Sequence, residues 1–310
     1  MSDVHSQPHR IDVHAHFAPP EWIAAQGRNV IPAIKNWTPG WSIEDMDRAG
    51  VEKALLSITT PGLWFNDDET ARKIARHSND YAARLRADHR GRFGIFTALP
   101  LPDVEGALRE IAYGLDTLKA DGVGLITSYG DKWLGDPAFD PVLAELNRRK
   151  AVAYVHPTSP ECCRNILPGV PDAAIEFGTD TTRTIARIVF GGAAARFPDI
   201  KWIFSHAGGT MPFLAERFEG MAKMPQYAAQ FPNGFAEVAR RFSYDTAQAA
   251  NAICMSGLRQ LVPVSRIVFG TDAPFRTSLE HADGLKNCGV FDAKELRAVE
   301  RENALALLKT

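Results

Sequence analysis

The sequence has few cysteines and no arrangement of them that staples a fold. Its four, Cys162, Cys163, Cys254 and Cys288, form no C-x-x-C pair and no zinc-finger spacing. Cys162 and Cys163 are adjacent, which suits neither an ordinary disulfide nor a paired metal site. A reduced, cytoplasmic protein is therefore the expectation. Charge of one sign is lacking too: 35 Lys and Arg stand against 37 Asp and Glu, a formal net charge of −2. That balance gives no electrostatic case for nucleic acid or an anionic membrane surface. No apolar stretch approaches membrane-spanning length, and there is no low-complexity segment. Residues 1–10 are polar, lack an apolar signal core, and read as a loose tail.

What is there is a chain of 310 residues, 45% hydrophobic, long enough for one α/β barrel or two small domains. Short β-branched or aromatic runs alternate with helical patterns. Strands are expected at 11–16, 54–59, 93–99, 122–127, 152–156, 202–206, 242–245 and 267–270. Amphipathic stretches such as 69–88, 104–119, 139–149 and 181–197 lie between them. Strand–helix alternation repeated eight times predicts a single (β/α)8 TIM barrel over residues 11–310. Two connections, 17–44 and 157–177, exceed what a plain barrel needs. Both follow strands ending in histidine, so both are expected over one mouth, building a substrate pocket or packing on the surface or a subunit contact.

The first strand runs into His14 and His16. Residues i and i+2 of a strand share a face, so the two imidazoles project side by side. Such a pair can chelate a divalent cation, or simply cap a strand end. Later strands add donors at their C-terminal ends: His156, His206 before Ala207-Gly208-Gly209, and Asp272 within Thr271-Asp272-Ala273-Pro274. In a barrel these ends face one opening. Their nitrogen and oxygen donors suit zinc or a similar ion.

The set of His-x-His, a strand-end His, His before Gly-Gly, and Thr-Asp-Ala-Pro resembles the amidohydrolase superfamily. Within it, the chain is similar to the branch of aminocarboxymuconate semialdehyde decarboxylase and the hydroxybenzoate decarboxylases, such as those of γ-resorcylate and methylsalicylate. The resemblance spans Ile11 to Leu308 and includes the run Met46-Asp47-Arg48-Ala49-Gly50-Val51. It implies that His14, His16, His156 and Asp272 hold one divalent ion per chain, Zn2+ or Mn2+. It implies that His206 bonds the metal-bound water or substrate and moves protons, and that Phe275 lies against the substrate. Arg217 matches an arginine that the branch donates across a dimer interface to a substrate carboxylate. The fourth strand carries no lysine of the kind that bridges two ions in some barrels of this type, so one metal is expected. Glu44 departs from the branch, whose semialdehyde decarboxylase has an arginine there; a simpler aromatic acid fits better.

Arg183 is expected to begin the helix after the long fifth loop, there either clamping a substrate carboxylate or pairing with Asp180. Asp12 reads as a structural hydrogen-bond acceptor, and Asp245 as an acceptor behind the ligands. His77, His89 and His281 read as solvated. Trp22, Trp41, Trp64 or Phe275 would form an apolar lid. The expected protein is a homo-oligomeric, at least dimeric, non-oxidative decarboxylase of a small ortho-hydroxylated aromatic acid. Asp272 or His206 would deliver the proton. The alternatives are a hydrolase of a lactone, amide or C–C bond using metal-bound hydroxide, and a barrel that only binds a metal or ligand.

Overall fold

The computed structural model describes residues 9–308. Eight parallel strands form the barrel: β1 (Arg10–His16), β2 (Val51–Ser57), β3 (Phe93–Ala98), β4 (Gly122–Ile126), β7 (Val152–His156), β8 (Lys201–Phe204), β9 (Ser243–Asp245) and β10 (Ile267–Val268). A short antiparallel hairpin, β5 (Ser128–Tyr129) and β6 (Lys132–Trp133), is inserted after β4; nothing in the hydrophobic pattern announces it. The principal helices Pro39–Ala49, Asp68–Asp88, Val104–Ala112, Asp140–Arg148, Asp172–Phe190, Met211–Ala222, Ala252–Leu261 and Ser278–Asn287 follow the eight strands in turn. The ends of the sheet meet where β1 bonds the segment around β10: Val13 N–H donates to Phe269 O at 2.9 Å, and His16 N–H to Ala273 O at 2.7 Å. This is the (β/α)8 barrel that the alternation predicts. Among the described residues no helix is long and apolar enough to cross a membrane.

Two cores hold it. Ile11, Val13, Leu55, Phe96, Val152, Tyr154, Ile203 and Val268 fill the barrel, with Ala304 and Leu307 of the C-terminal helix in the same cluster. A larger layer, with Ala15, Phe17, Ala54 and Leu56, lies between sheet and helices. The partition shows how β1 works. Ile11 and Val13 point inward while Ala15 and Phe17 point outward, so the inward parity changes in between. The register supplies the reason: Asp12 pairs with Ala54 but Ala15 with Leu56, an extra residue on β1. Such a bulge re-aims side chains, and it turns both His14 and His16 into the barrel.

Several boundaries differ from expectation. Of the expected tail at 1–10, residues 1–8 lie outside the described residues; Arg10 opens β1 and pairs with Glu300 at 2.7 Å. The strands expected to reach His206 and residue 270 stop at Phe204 and Val268; Ser205 is still extended, and the chain turns left-handed at His206 and, past β10, at Asp272. The helix expected from residue 181 begins at Asp172, which shortens the loop after β7 to 157–171. Trp22 is fully buried, with its indole N–H on Gly62 O at 2.7 Å, so it is a core anchor rather than a lid.

Candidate active site

The closing seam of the barrel carries His14, His16 and Asp272, and His156 and His206 reach them from across the barrel. His14 and His16 come from β1 and His156 ends β7; His206 and Asp272 sit in turns beyond β8 and β10. Asp272 is tied to β1 by its own N–H, which donates to His14 O at 2.8 Å. Gly270 permits this approach, since a Cβ there would stand 2.9 Å from the Cβ atoms of both His14 and Asp245. Asp12 staples the same seam. Its Oδ1 accepts from His14 N–H at 2.8 Å and its Oδ2 from the Thr271 hydroxyl at 2.6 Å. Burial pushes the Asp12 carboxyl up to about 7, with those hydrogen bonds acting in the opposite direction.

The donor atoms converge. Asp272 Oδ1 lies 3.1 Å from His14 Nε2, 3.1 Å from His16 Nε2 and 3.9 Å from His156 Nε2. The two Nε2 atoms of His14 and His16 are 3.1 Å apart. Donors about 2.1 Å from a tetrahedral cation stand about 3.4 Å from one another, so the set fits one divalent ion. His206 Nε2 is 3.4 Å from the other oxygen, Oδ2. Taken with His14, His156 and Asp272, it too offers a donor within 4.8 Å of the rest. That set of four leaves out His16, whose Nε2 joins it through His14 Nε2 and Asp272 Oδ1, each 3.1 Å away.

Each imidazole on the strands has its second nitrogen occupied. His14 Nδ1 faces Asp245 Oδ2 at 2.8 Å, His16 Nδ1 faces Ser57 O at 3.2 Å, and His156 Nδ1 faces Pro157 O at 2.8 Å. With Nδ1 donating, every Nε2 lone pair is turned to the centre. Asp245 thus stands behind the donor set, its Oδ1 accepting from the N–H groups of His206 and Ala247. Burial holds His16 and His156 below the ordinary imidazole range. For His14 burial acts in the same direction, but the Asp245 and Asp272 carboxylates outweigh it and raise it to about 10. For Asp272 burial would favour the acid, but the His14 charge and the surrounding imidazole hydrogen bonds keep it well below the carboxylate range. Two neutral imidazoles and a carboxylate are in ligating form, and His14 would lose its Nε2 proton on binding a cation.

Four non-glycine residues here have left-handed backbones: His206 (φ 55°), Ala207 (57°), Gln248 (56°) and Asp272 (63°). Such conformations cost about 1–3 kcal/mol each and cluster where function over-determines them. Gly209 follows at φ 67°, so close to Gly178 O that no side chain fits.

Gln248 and His281 are the residues that sequence reasoning misses. Gln248 Nε2 donates to Asp272 Oδ2 at 2.8 Å, and Gln248 N–H donates to His281 Nε2 at 3.0 Å. His281, expected on a solvated face, is only 3% exposed. Phe275 meets the His16 ring edge-on at 5.8 Å, and Phe177 meets His156 at 6.1 Å. Arg183 is not at a helix start; in the fourth turn of Asp172–Phe190 it pairs with Glu176 at 3.3 Å and Asp180 at 3.8 Å. Arg217 is exposed on Met211–Ala222, and the described residues give it no hydrogen bond or ion pair. Cys162 and Cys163 bring their Sγ atoms to 2.9 Å at the surface. A cavity of about 600 Å³ is lined by Gln26, Thr60, Trp64, Ser128, Thr158 and Arg164, so both long loops reach one opening.

A (β/α)8 barrel with four imidazoles and a carboxylate gathered on and just past its strands is a metal-binding barrel whose site lies at the mouth. The chain belongs to the amidohydrolase family, whose sequence profile matches residues 11–310. It is 35% identical to the decarboxylase yanB of Aspergillus niger over 96% of this chain and 87% of that protein. It is likewise 35% identical to the 6-methylsalicylic acid decarboxylase of Penicillium expansum over 86% of this chain and 85% of that protein. A dihydroxybenzoic acid decarboxylase from Polaromonas sp. JS666, solved with bound manganese and 2-nitroresorcinol, superposes with a TM-score of 0.82 at 22% identity, covering 98% and 97% of the two chains.

Proposed function

We propose that this protein is a metal-dependent, non-oxidative decarboxylase of a small aromatic acid with a hydroxyl ortho to the carboxylate. The observation that carries the reading is 35% identity, over most of the chain, to a 6-methylsalicylic acid decarboxylase, in a barrel whose donors fit one cation. His14, His16, His156 and Asp272 would hold the ion. Zn2+ is the first assignment for three imidazoles and a carboxylate, with Mn2+ supported by the bound manganese of the Polaromonas protein. The cation supplies a Lewis acid and a template for carboxylate and phenol oxygens.

The chain's own residues do the rest. Phe275, beside the His16 ring, and Phe177, beside His156, hold the aromatic ring and exclude water. His206, next to Asp272 Oδ2, delivers a proton to the ring carbon that bears the carboxylate. The C–C bond then breaks, its electron pair restores the ring, and CO2 leaves. Arg217 is proposed to serve the site of a second copy in a homodimer, a role suited to an exposed guanidinium with no partner among the described residues.

The test is a panel of 2-hydroxybenzoates, including 6-methylsalicylate and 2,6-dihydroxybenzoate, with CO2 and the matching phenol measured together. Equal amounts of both from at least one acid are expected. Metal-loaded protein that releases neither across the panel would overturn the reading.

A further inference from the structure

Asp272 divides its two oxygens between two surroundings. Oδ1 is shared among His14, His16 and His156 at 3.1–3.9 Å. Oδ2 receives Gln248 Nε2 at 2.8 Å and faces His206 Nε2 at 3.4 Å. The terminal torsion of an aspartate is broad, so an orientation this specific needs a donor that holds one oxygen. Gln248 supplies the one short hydrogen bond to Oδ2. Its amide orientation is fixed from both ends: a carboxylate requires the NH2 group, and Oε1 lies 3.4 Å from Arg276 Nη1, a donor.

Gln248 is itself held against local preference. Its left-handed backbone is sustained by its own N–H, which donates to His281 Nε2 at 3.0 Å. That imidazole donates from Nδ1 to Thr277 O at 3.0 Å. Thr277 caps helix Ser278–Asn287 with a full capping box, so the chain of bonds ends on a rigid element. Gln248 is an exposed residue whose side chain reaches inward to the carboxylate.

We propose that Gln248 is a positioning residue. It fixes the Asp272 carboxylate so that one oxygen serves the metal donors and the other is presented to His206. The inference rests on the reading that Asp272 and His206 serve a metal-dependent reaction. Hydrogen-bond partners behind metal ligands are worth about 10–100-fold in metal affinity or activity.

The test uses the full chain carrying Gln248→Met, which keeps length and removes the donor, and Gln248→Glu, which sets a carboxylate against Asp272. Melting temperature, Mn2+ affinity by chelator competition, and kcat and KM on a hydroxybenzoate are measured. Melting temperatures close to that of the parent are expected, because the position is exposed. Mn2+ affinity should fall about 10–100-fold in Gln248→Met and further in Gln248→Glu, with kcat reduced more than KM is raised. The Mn2+ arm needs no substrate, so it stands even if the parent decarboxylates nothing. Affinity within about twofold of the parent in both variants would overturn the proposal, as would Gln248→Glu binding as tightly as the parent.

Discussion

Asp245→Asn tests the arrangement behind the donors with almost no change in volume. Asp245 is fully buried and accepts three hydrogen bonds: His14 Nδ1 at 2.8 Å on Oδ2, and the N–H groups of His206 and Ala247 at 2.8 and 3.0 Å on Oδ1. An asparagine keeps one carbonyl oxygen for the two backbone donors and turns its NH2 toward His14. Two donors then face each other. Either the contact stays unsatisfied, or His14 moves its proton to Nε2 and withdraws a lone pair from the metal point. A buried polar group without its partner costs about 1–3 kcal/mol. Unfolding entropy near 2.1 cal/mol/K per residue over 310 residues is about 0.65 kcal/mol/K, so the melting temperature should fall about 2–5 °C. Metal affinity should fall about 10–100-fold, as for other partners of ligating histidines. Calorimetry on metal-stripped protein reads the first effect and chelator competition the second. A variant with unchanged melting temperature and unchanged affinity would refute the claim that Asp245 sets the His14 tautomer.

Three further outcomes are expected. His206→Ala should retain its metal and lose turnover by about 10²–10⁴-fold, the scale of general acid–base catalysis; metal analysis that finds the variant empty would make His206 a ligand. Inactive Arg217→Ala and His156→Ala proteins, mixed and allowed to exchange subunits, should recover part of the activity, because one mouth of each mixed dimer is intact; no recovery despite proven exchange would return Arg217 to a surface role. Hydrogen bonds from Arg148, and then Arg149, lower the Glu145 carboxyl to about 2 from an ordinary 4.5. A depressed carboxylate stabilises above its unfolded value and loses that contribution as pH falls toward its folded value. Glu145→Gln should therefore lower the melting temperature more at pH 7 than at pH 3, as scanning calorimetry at the two pH values would show.

How far the sequence could be read depended on whether a feature was local. His14, His16 and His156 stand in strands, where alternation and a terminal position say where a side chain goes. Even there, the bulge that brings His14 and His16 to the face of Ile11 and Val13 is written in pairing with β2, which one strand's pattern does not contain. His206 and Asp272 are legible as residue types, but the pattern reads them as strand-end residues. They sit in left-handed turns past the strands, and ordinary propensity argues against those conformations for non-glycine residues. The sequence places Arg183 at a helix start because the stretch Glu176-Phe177-Gly178-Thr179, polar and glycine-containing, reads as loop, whereas the helix runs back through it to Asp172. Gln248 and His281 were out of reach for another reason. Their contact joins a loop after β9 to a helix after β10, and neither position has a periodicity that points at the other.

Titration of turnover with metal tests the central claim most directly. The protein is stripped with a chelator, reloaded stepwise with Zn2+ or Mn2+, and assayed for CO2 release from a 2-hydroxybenzoate while bound metal is counted. The account predicts that stripped protein is inactive and that turnover rises in proportion to bound metal, reaching its plateau at one ion per chain. Full turnover without metal, or a plateau only at two ions per chain, would contradict it.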